Sequence, residues 1–286
     1  MNLSDNPQYR ALRVTPGTFV PDAGIDYPTD DPFRGIIQVV KVPEHTFEMD
    51  ENYPYYDQSP AYLKERRKAY FICNTYCKVV QWLKWGFKVK NRSVMKRHKG
   101  DFAHGALTVC NHAYRWDMVS VIHATGKRFY IPMLGDNMMT KDYWYMRYIG
   151  GIPVPSSMAA MKKYNEAFDK YHEQGEWIHV FPEAKRWSFY KPLKPFRKGA
   201  FSMAYKYRIP ILPCCITYRK RTGLHRLFGK ACEPLITIEL GEPIFPNFDN
   251  PRKVEVERLR NLAHSTICRM AGIVSNPWPA APADGD

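Results

Sequence analysis

Beyond residue 86 the chain alternates short apolar or β-branched runs with stretches of helical period. Residues 87–90, 106–110, 129–132, 151–154, 177–181, 211–218 and 235–240 are such runs, bounded by turn-forming or polar residues, and predict buried strands. Residues 116–124, 140–149, 157–174, 200–207 and 252–271 space their apolar side chains by three and four, which predicts helices. In the clearest, 157–174, Ser156 and Ser157 are candidate caps, Met161, Tyr164, Phe168 and Tyr171 share one face, and Gly175 ends the pattern. Strand and helix in alternation predict an α/β domain, with a central mixed sheet flanked by helices. Catalytic groups in such folds sit where strands hand over to loops.

Residues 60–86 read differently. Ile72, Tyr76, Val79, Val80 and Leu83 recur on one face of a helix, Arg66, Arg67, Lys68, Lys78 and Lys84 decorate it, and Trp82 and Trp85 stand near its end. Basic residues with indole rings on an apolar helix suit the headgroup region of a membrane. An ordinary amphipathic helix packed on the domain has the same pattern. The most apolar stretch, 70–89, is interrupted by Lys78, Gln81, Lys84 and Lys88, so no bilayer-spanning segment is expected. The first residues lack the basic opening and apolar run of a secretory signal. The expected layout is an acidic irregular extension over 1–59, a domain over 60–275 whose segment 60–86 binds membrane, and a flexible tail over 276–286.

The composition narrows the function. A chain of 286 residues, 45% hydrophobic, can bury a full core, which excludes disorder and a disulfide miniprotein. Its net charge of +14 calls for an anionic partner: a phospholipid surface, nucleic acid or a phosphorylated substrate. The charge is concentrated, with 12 basic residues against Glu65 in 61–100 and 13 against Glu183 in 181–230. The seven cysteines form no C-x-x-C pair, so free thiols in a reducing compartment are expected and no metal site. Helix-turn-helix, zinc-finger and RNA-binding signatures are absent, so nucleic acid is not an expected partner.

One histidine has company that suggests chemistry. The strand 106–110 runs into Asn111-His112-Ala113-Tyr114-Arg115-Trp116-Asp117, so a loop can fold the Asp117 carboxylate onto one imidazole nitrogen and leave the other free as a general base. A His with an Asp five residues on is also a common chance pair. A second strand, 177–181, delivers Pro182-Glu183-Ala184-Lys185-Arg186 to the same kind of edge, and Arg197-Lys198-Gly199 follows. Glu183 could equally be an ion-paired or capping carboxylate, and Lys185, Arg186, Arg197 and Lys198 a solvated face. His179 alternates within its strand and reads as structural, and Cys214 and Cys215 as core.

The order N-H-x-x-x-x-D, G-G-I-P-V, F-P-E, F-x-K-G-A, I-P-I-L-P over about residues 60–245 resembles the glycerolipid acyltransferases typified by 1-acylglycerol-3-phosphate O-acyltransferase. The resemblance implies that His112 and Asp117 form a catalytic dyad. It implies that Glu183, Lys185, Arg186 and Lys198 bind the phosphate end of the acceptor, and that Pro210 and Pro213 shape the acyl-donor site. The donor would be acyl-CoA or acyl carrier protein, used as substrate with no bound cofactor. The acceptor would be a lyso-glycerophospholipid, 1-acylglycerol-3-phosphate first, at the cytoplasmic face of a membrane where the protein is peripheral. Two departures stand out: Ser156 occupies the place of a phosphate-binding Arg, and Ala184 and Lys185 replace the usual Gly and Thr after F-P-E. The departures leave open another lyso-lipid acceptor, or a non-catalytic lipid-surface protein on the same fold.

Overall fold

The structure, a computed structural model, describes residues 5–36 and 47–282. The stretch 37–46 of the expected extension and residues 283–286 of the expected tail lie outside the described residues, as do 1–4. In chain order the elements are α1 (Pro7–Ala11), β1 (Arg13–Val14), α2 (Pro60–Ile72), a π-helical turn (Cys73–Cys77), α3 (Lys78–Trp85), β2 (Lys88–Lys90), α4 (Val94–Arg97), β3 (Leu107–Cys110) and α5 (Asp117–Thr125). Then follow β4 (Phe129–Leu134), α6 (Tyr143–Tyr148), β5 (Gly151–Val154), α7 (Met158–Glu173), β6 (Trp177–Val180), α8 (Gly199–Tyr207), β7 (Ile211–Arg219), β8 (Leu235–Leu240), α9 (Arg252–Met270) and β9 (Ile273–Ser275).

Seven strands form one mixed sheet in the order β2-β8-β7-β3-β6-β4-β5. From β7 to β5 all pairs are parallel, and β8 runs antiparallel to β7. The period of two sends Leu107, Val109, Tyr130 and Ile178 into a core with α7, α8 and α9, and Ala106, Cys110, Phe129 and Ile131 into a second core with α5. Both faces are therefore covered, which is why these strands read as unbroken apolar runs. The parallel run brings the loops after β3, β4, β5 and β6 to one edge.

The helix over 60–85 is seated differently from its expected face. Tyr62, Arg66, Ala69, Tyr70, Cys73, Cys77, Gln81 and Trp85 point inward, while Phe71, Ile72, Tyr76, Val79 and Trp82 are exposed. From Cys73 the inward positions advance by four, faster than a 3.6-residue helix can keep on one side, and the π turn at Cys73–Cys77 takes up the excess. Gln81 is wholly buried. Its amide donates to Tyr114 Oη (3.0 Å) and Ser120 Oγ (2.9 Å), so α3 is keyed to the loop that follows β3.

The two ends of the chain meet. β1 pairs with β9, and Tyr9, Tyr27, Trp187, Tyr190 and Trp278 form one aromatic cluster. Residues 276–282 thus correct the expectation of a flexible tail. Asn276 bonds both backbone groups of Leu193, Trp278 donates to Tyr190 Oη (2.8 Å), and Ala280 O accepts from Phe196 N.

Candidate active site

At the end of β3 the side chain of Asn111 accepts from Ile216 N (2.7 Å) and donates to Ile216 O (3.0 Å), locking β3 to β7 where the loop departs. The next residue is His112. Five residues on, the chain enters α5 with Asp117 in its first turn, where the exposed amides and the dipole of a helix start favour a carboxylate. His112 Nδ1 lies 2.5 Å from Asp117 Oδ2, and the same carboxylate accepts from Ala113 N (3.2 Å) and Met118 N (2.8 Å). Burial opposes the charge of Asp117, but the imidazole, Arg186 and the Met118 amide outweigh it and hold the carboxyl below its usual value. With Asp117 ionised, Nδ1 carries the proton and Nε2 presents a lone pair. Nε2 has no hydrogen bond among the described residues. The ring lies flat on Phe181 (4.2 Å, 14°), which fixes its plane.

Beneath that pair, His179 is fully buried, bonded through Nδ1 to Thr108 Oγ1 (2.7 Å), and edge-on to Phe181 at 4.3 Å. Burial drives its pKa down to about 3, so it supports Phe181 as a neutral ring.

Glu183 turns inward, to backbone amides. It is 3% exposed, its Oε1 accepts from His112 N (2.8 Å), and its Oε2 accepts from Lys194 N (3.2 Å). Burial pushes its carboxyl up, opposed by the Lys194 ammonium and the two amides. Lys194 is itself buried, bonded to Lys185 O and placed over the Trp187 ring at 4.6 Å. The carboxylate thus corrects the expected phosphate contact: it is a brace that holds the His112 backbone to the loop after β6.

Arg186 is half-buried, close enough to Asp117 to stabilise its charge, and its buried Nε has no partner among the described residues. It is the cation of the loop that the structure brings to the dyad. Lys185 is half-buried and contributes its carbonyl to Lys194, and Lys198 is exposed at the start of α8. Ser156 is exposed after β5, followed by the cap Ser157, whose Oγ accepts from Ala160 N.

Pro210 and Pro213, expected at a donor site, are buried in or before β7. Pro210 O accepts from Leu107 N at the start of β3, the opposite sheet edge from His112, and Pro213 pairs with Val109 inside the sheet. They shape the strand, and no contact with the dyad places them at a donor site.

Of the expected membrane residues, Arg67, Lys68, Lys78 and Trp82 are exposed. Arg66 and Trp85 are corrections. Arg66 is 3% exposed, donates to Phe129 O (3.1 Å) and lies over the Tyr130 ring, while Trp85 is 4% exposed and edge-on to Tyr114. Lys84 is partly buried and faces Glu233 at 3.5 Å.

Sequence reasoning did not single out Phe181, Lys194 and Trp187 as partners of the site. Phe181 stood in the F-P-E block and Lys194 in a basic, proline-rich run, but neither carried a signal of what it would touch.

Residues 86–217 match the family described as acyltransferase. A stretch of 144 residues is 27% identical to an uncharacterized acyltransferase of Schizosaccharomyces pombe, covering 47% of this chain and 48% of that one. The chain thus spans about half the length of this curated relative. The crystal structure of the 1-acyl-sn-glycerophosphate acyltransferase PlsC from Thermotoga maritima is similar at a TM-score of 0.48 and 20% identity, covering 75% of this chain and 83% of that chain.

Proposed function

We propose that the chain is an acyltransferase, the family that its residues 86–217 match, and that it moves a fatty acyl chain from a thioester to the free hydroxyl of a lyso-glycerophospholipid. The donor is acyl-CoA or acyl carrier protein, and the acceptor is 1-acylglycerol-3-phosphate. The observation that carries this reading is the His112–Asp117 pair at 2.5 Å, with Nε2 unbonded among the described residues and Arg186 beside it.

The acceptor hydroxyl donates to Nε2, which takes its proton as the oxygen attacks the thioester carbonyl. Asp117 stabilises the imidazolium that forms. Collapse of the tetrahedral adduct expels the thiolate, which leaves with the proton from His112. No covalent intermediate on the protein is needed. The Arg186 guanidinium offers charge-assisted hydrogen bonds to the phosphate. Ser156 supplies no cation after β5, so the phosphate of this acceptor rests on the loop after β6, with Arg186 as its guanidinium.

A peripheral seat on the cytoplasmic face of a membrane fits the outward face of the helix over 60–85. Phe71 (69% exposed), Tyr76 (65%), Val79 (55%) and Trp82 (57%) lie there beside Arg67, Lys68 and Lys78. No described helix is long and apolar enough to cross a bilayer.

The test is acyl transfer by the purified chain from acyl-CoA to a panel of lyso-glycerophospholipids, with 1-acylglycerol-3-phosphate as reference. His112→Ala should lower the rate by about 10² to 10⁴ with near-ultraviolet circular dichroism unchanged, and Asp117→Asn nearly as much. Transfer at the wild-type rate by folded His112→Ala would remove the dyad from the mechanism.

A further inference from the structure

A cleft of about 580 Å³ opens where the N-terminal extension passes the loop after β7. Lys220, Arg221 and Arg226 line it together with the carboxylates of Asp22 and Glu233 and the ring of Phe19. Lys84 adds a fourth cation 3.5 Å from Glu233, so the cleft keeps a net positive charge with both carboxylates counted in full.

Arg221 has the strongest claim. It is only 6% exposed, its Nε donates to Glu233 O (2.8 Å) and its Nη1 to His225 O (2.6 Å), which fixes the guanidinium plane. The remaining Nη2 is buried with no partner among the described residues. A buried charged donor left unbonded is costly, and an incoming anion would satisfy it. Gly229 packs on the face of that guanidinium, since a Cβ there would stand 2.7 Å from its carbon and both terminal nitrogens and displace it.

The rim says what carries the anion. Leu224 (52% exposed), Leu227 (79%) and Phe228 (43%) stand out from the loop Gly223–Leu227 and its end. That loop is docked on the helix end through His225 Nδ1, which donates to Leu83 O (2.9 Å), next to the exposed Trp82. The apolar side chains of the loop therefore extend the apolar face of the helix. A soluble phosphate has no use for such a rim; an anion attached to acyl chains does.

We propose that this cleft binds the phosphate headgroup of an anionic phospholipid in the membrane, as a docking site separate from the acyl-transfer site. From Cys214, which is level with Cys110, β7 runs five residues to Arg219 and Lys220 follows, so the cleft lies roughly 20 Å along the strand direction from the end of β3. The inference rests on the reading that the protein works at a lipid surface.

Cys232 lines the cleft and is the exposed cysteine of the seven, so its alkylation reports occupancy directly. The experiment uses the full chain in a Cys268→Ser background, with a maleimide and three additions: phosphatidylcholine vesicles, the same vesicles containing phosphatidic acid, and soluble sn-glycerol 3-phosphate. At accessible lipid about ten times Kd, the phosphatidic acid vesicles should slow labelling about tenfold. Lys220→Glu/Arg226→Glu, two exposed positions, and Gly229→Ala should each reduce that protection to the level given by phosphatidylcholine alone. Equal protection by both vesicle types would leave only an apolar contact and overturn the proposal. Equal protection by glycerol phosphate would make the cleft a free-anion site and overturn it too, as would full protection of the charge-reversed variant. Acyl transfer to detergent-dispersed acceptor, measured on the same samples, separates the two readings. Transfer without protection sinks the cleft alone, and protection without transfer sinks the proposed reaction alone.

Discussion

Ala184 adopts a left-handed backbone conformation (φ 60°) between the Glu183 brace and Arg186. A side chain in that region costs about 1–2 kcal/mol, and glycine relieves it at some expense in unfolded-chain entropy. Ala184→Gly should therefore raise stability by about 0.5–1 kcal/mol, read as a rise in Tm of about 1–3 °C. An unchanged or lower Tm would mean that the loop relaxes around alanine. The replacement of glycine here was visible in the sequence, but the φ angle that gives it a cost was not. His112 and Asp117 were legible because one short loop suffices to bring them together. The role of Glu183 was not, because its partners, His112 N and Lys194 N, lie 71 and 11 residues away and are backbone groups, which leave no mark on composition.

The helical element over 60–85 was legible in its period and in its charge, but not in which way it faces. Two apolar stripes coexist, one of Tyr70, Cys73, Cys77 and Trp85 and one of Phe71, Tyr76, Val79 and Trp82, and the π turn shifts the phase between its halves. Only the surface it packs on decides which stripe turns inward. If the outward stripe seats the protein on lipid, charge and apolar contact should separate experimentally. Replacing Arg67, Lys68 and Lys78 by Gln should weaken binding to anionic vesicles by about a hundredfold at low salt, at about 1 kcal/mol per charge, with the loss shrinking as salt rises. Replacing Phe71, Tyr76 and Trp82 by Ser should weaken it at every salt concentration, because apolar burial is not screened. A co-sedimentation series in which both variants bind as the wild type does would place the membrane contact elsewhere. The seven sheet strands, by contrast, lie within two residues of their expected limits. The inner strands are buried on both faces and carry little polar alternation, and at the edge β2 shows its alternation openly, with Lys88 and Lys90 exposed about Val89.

At the scale of the whole molecule, the extension is a brace for the loop after β6. Tyr27 is 4% exposed, donates to Ser188 O (2.7 Å) and packs between Trp187 and Tyr190, while Arg34 O accepts from Trp187 Nε1 (2.9 Å). Tyr27→Ala should cost about 3–5 kcal/mol, as large aromatic truncations do. It should raise the KM for a lyso-glycerophospholipid acceptor and lower kcat together, because Arg186 rides on that loop and Glu183 of the same loop holds the His112 backbone. A stability loss with unchanged KM would confine the extension to a structural role. The extension looked irregular because the contacts that hold it to this loop are with residues more than 150 positions away, and no local pattern encodes them.

The pairing of β1 with β9 also sets an order of events during synthesis. The extension leaves the ribosome roughly 250 residues ahead of its partners Ile273–Ser275 and Trp278. At about 5–20 residues per second, roughly 12 to 50 s separate the two. For that interval Tyr9 and Tyr27 have no completed cluster to enter, and the loop bearing Arg186 has no finished brace. The newborn chain therefore carries a set of unburied rings through that interval, and the loop bearing Arg186 is fully braced only once residues 273–278 come free.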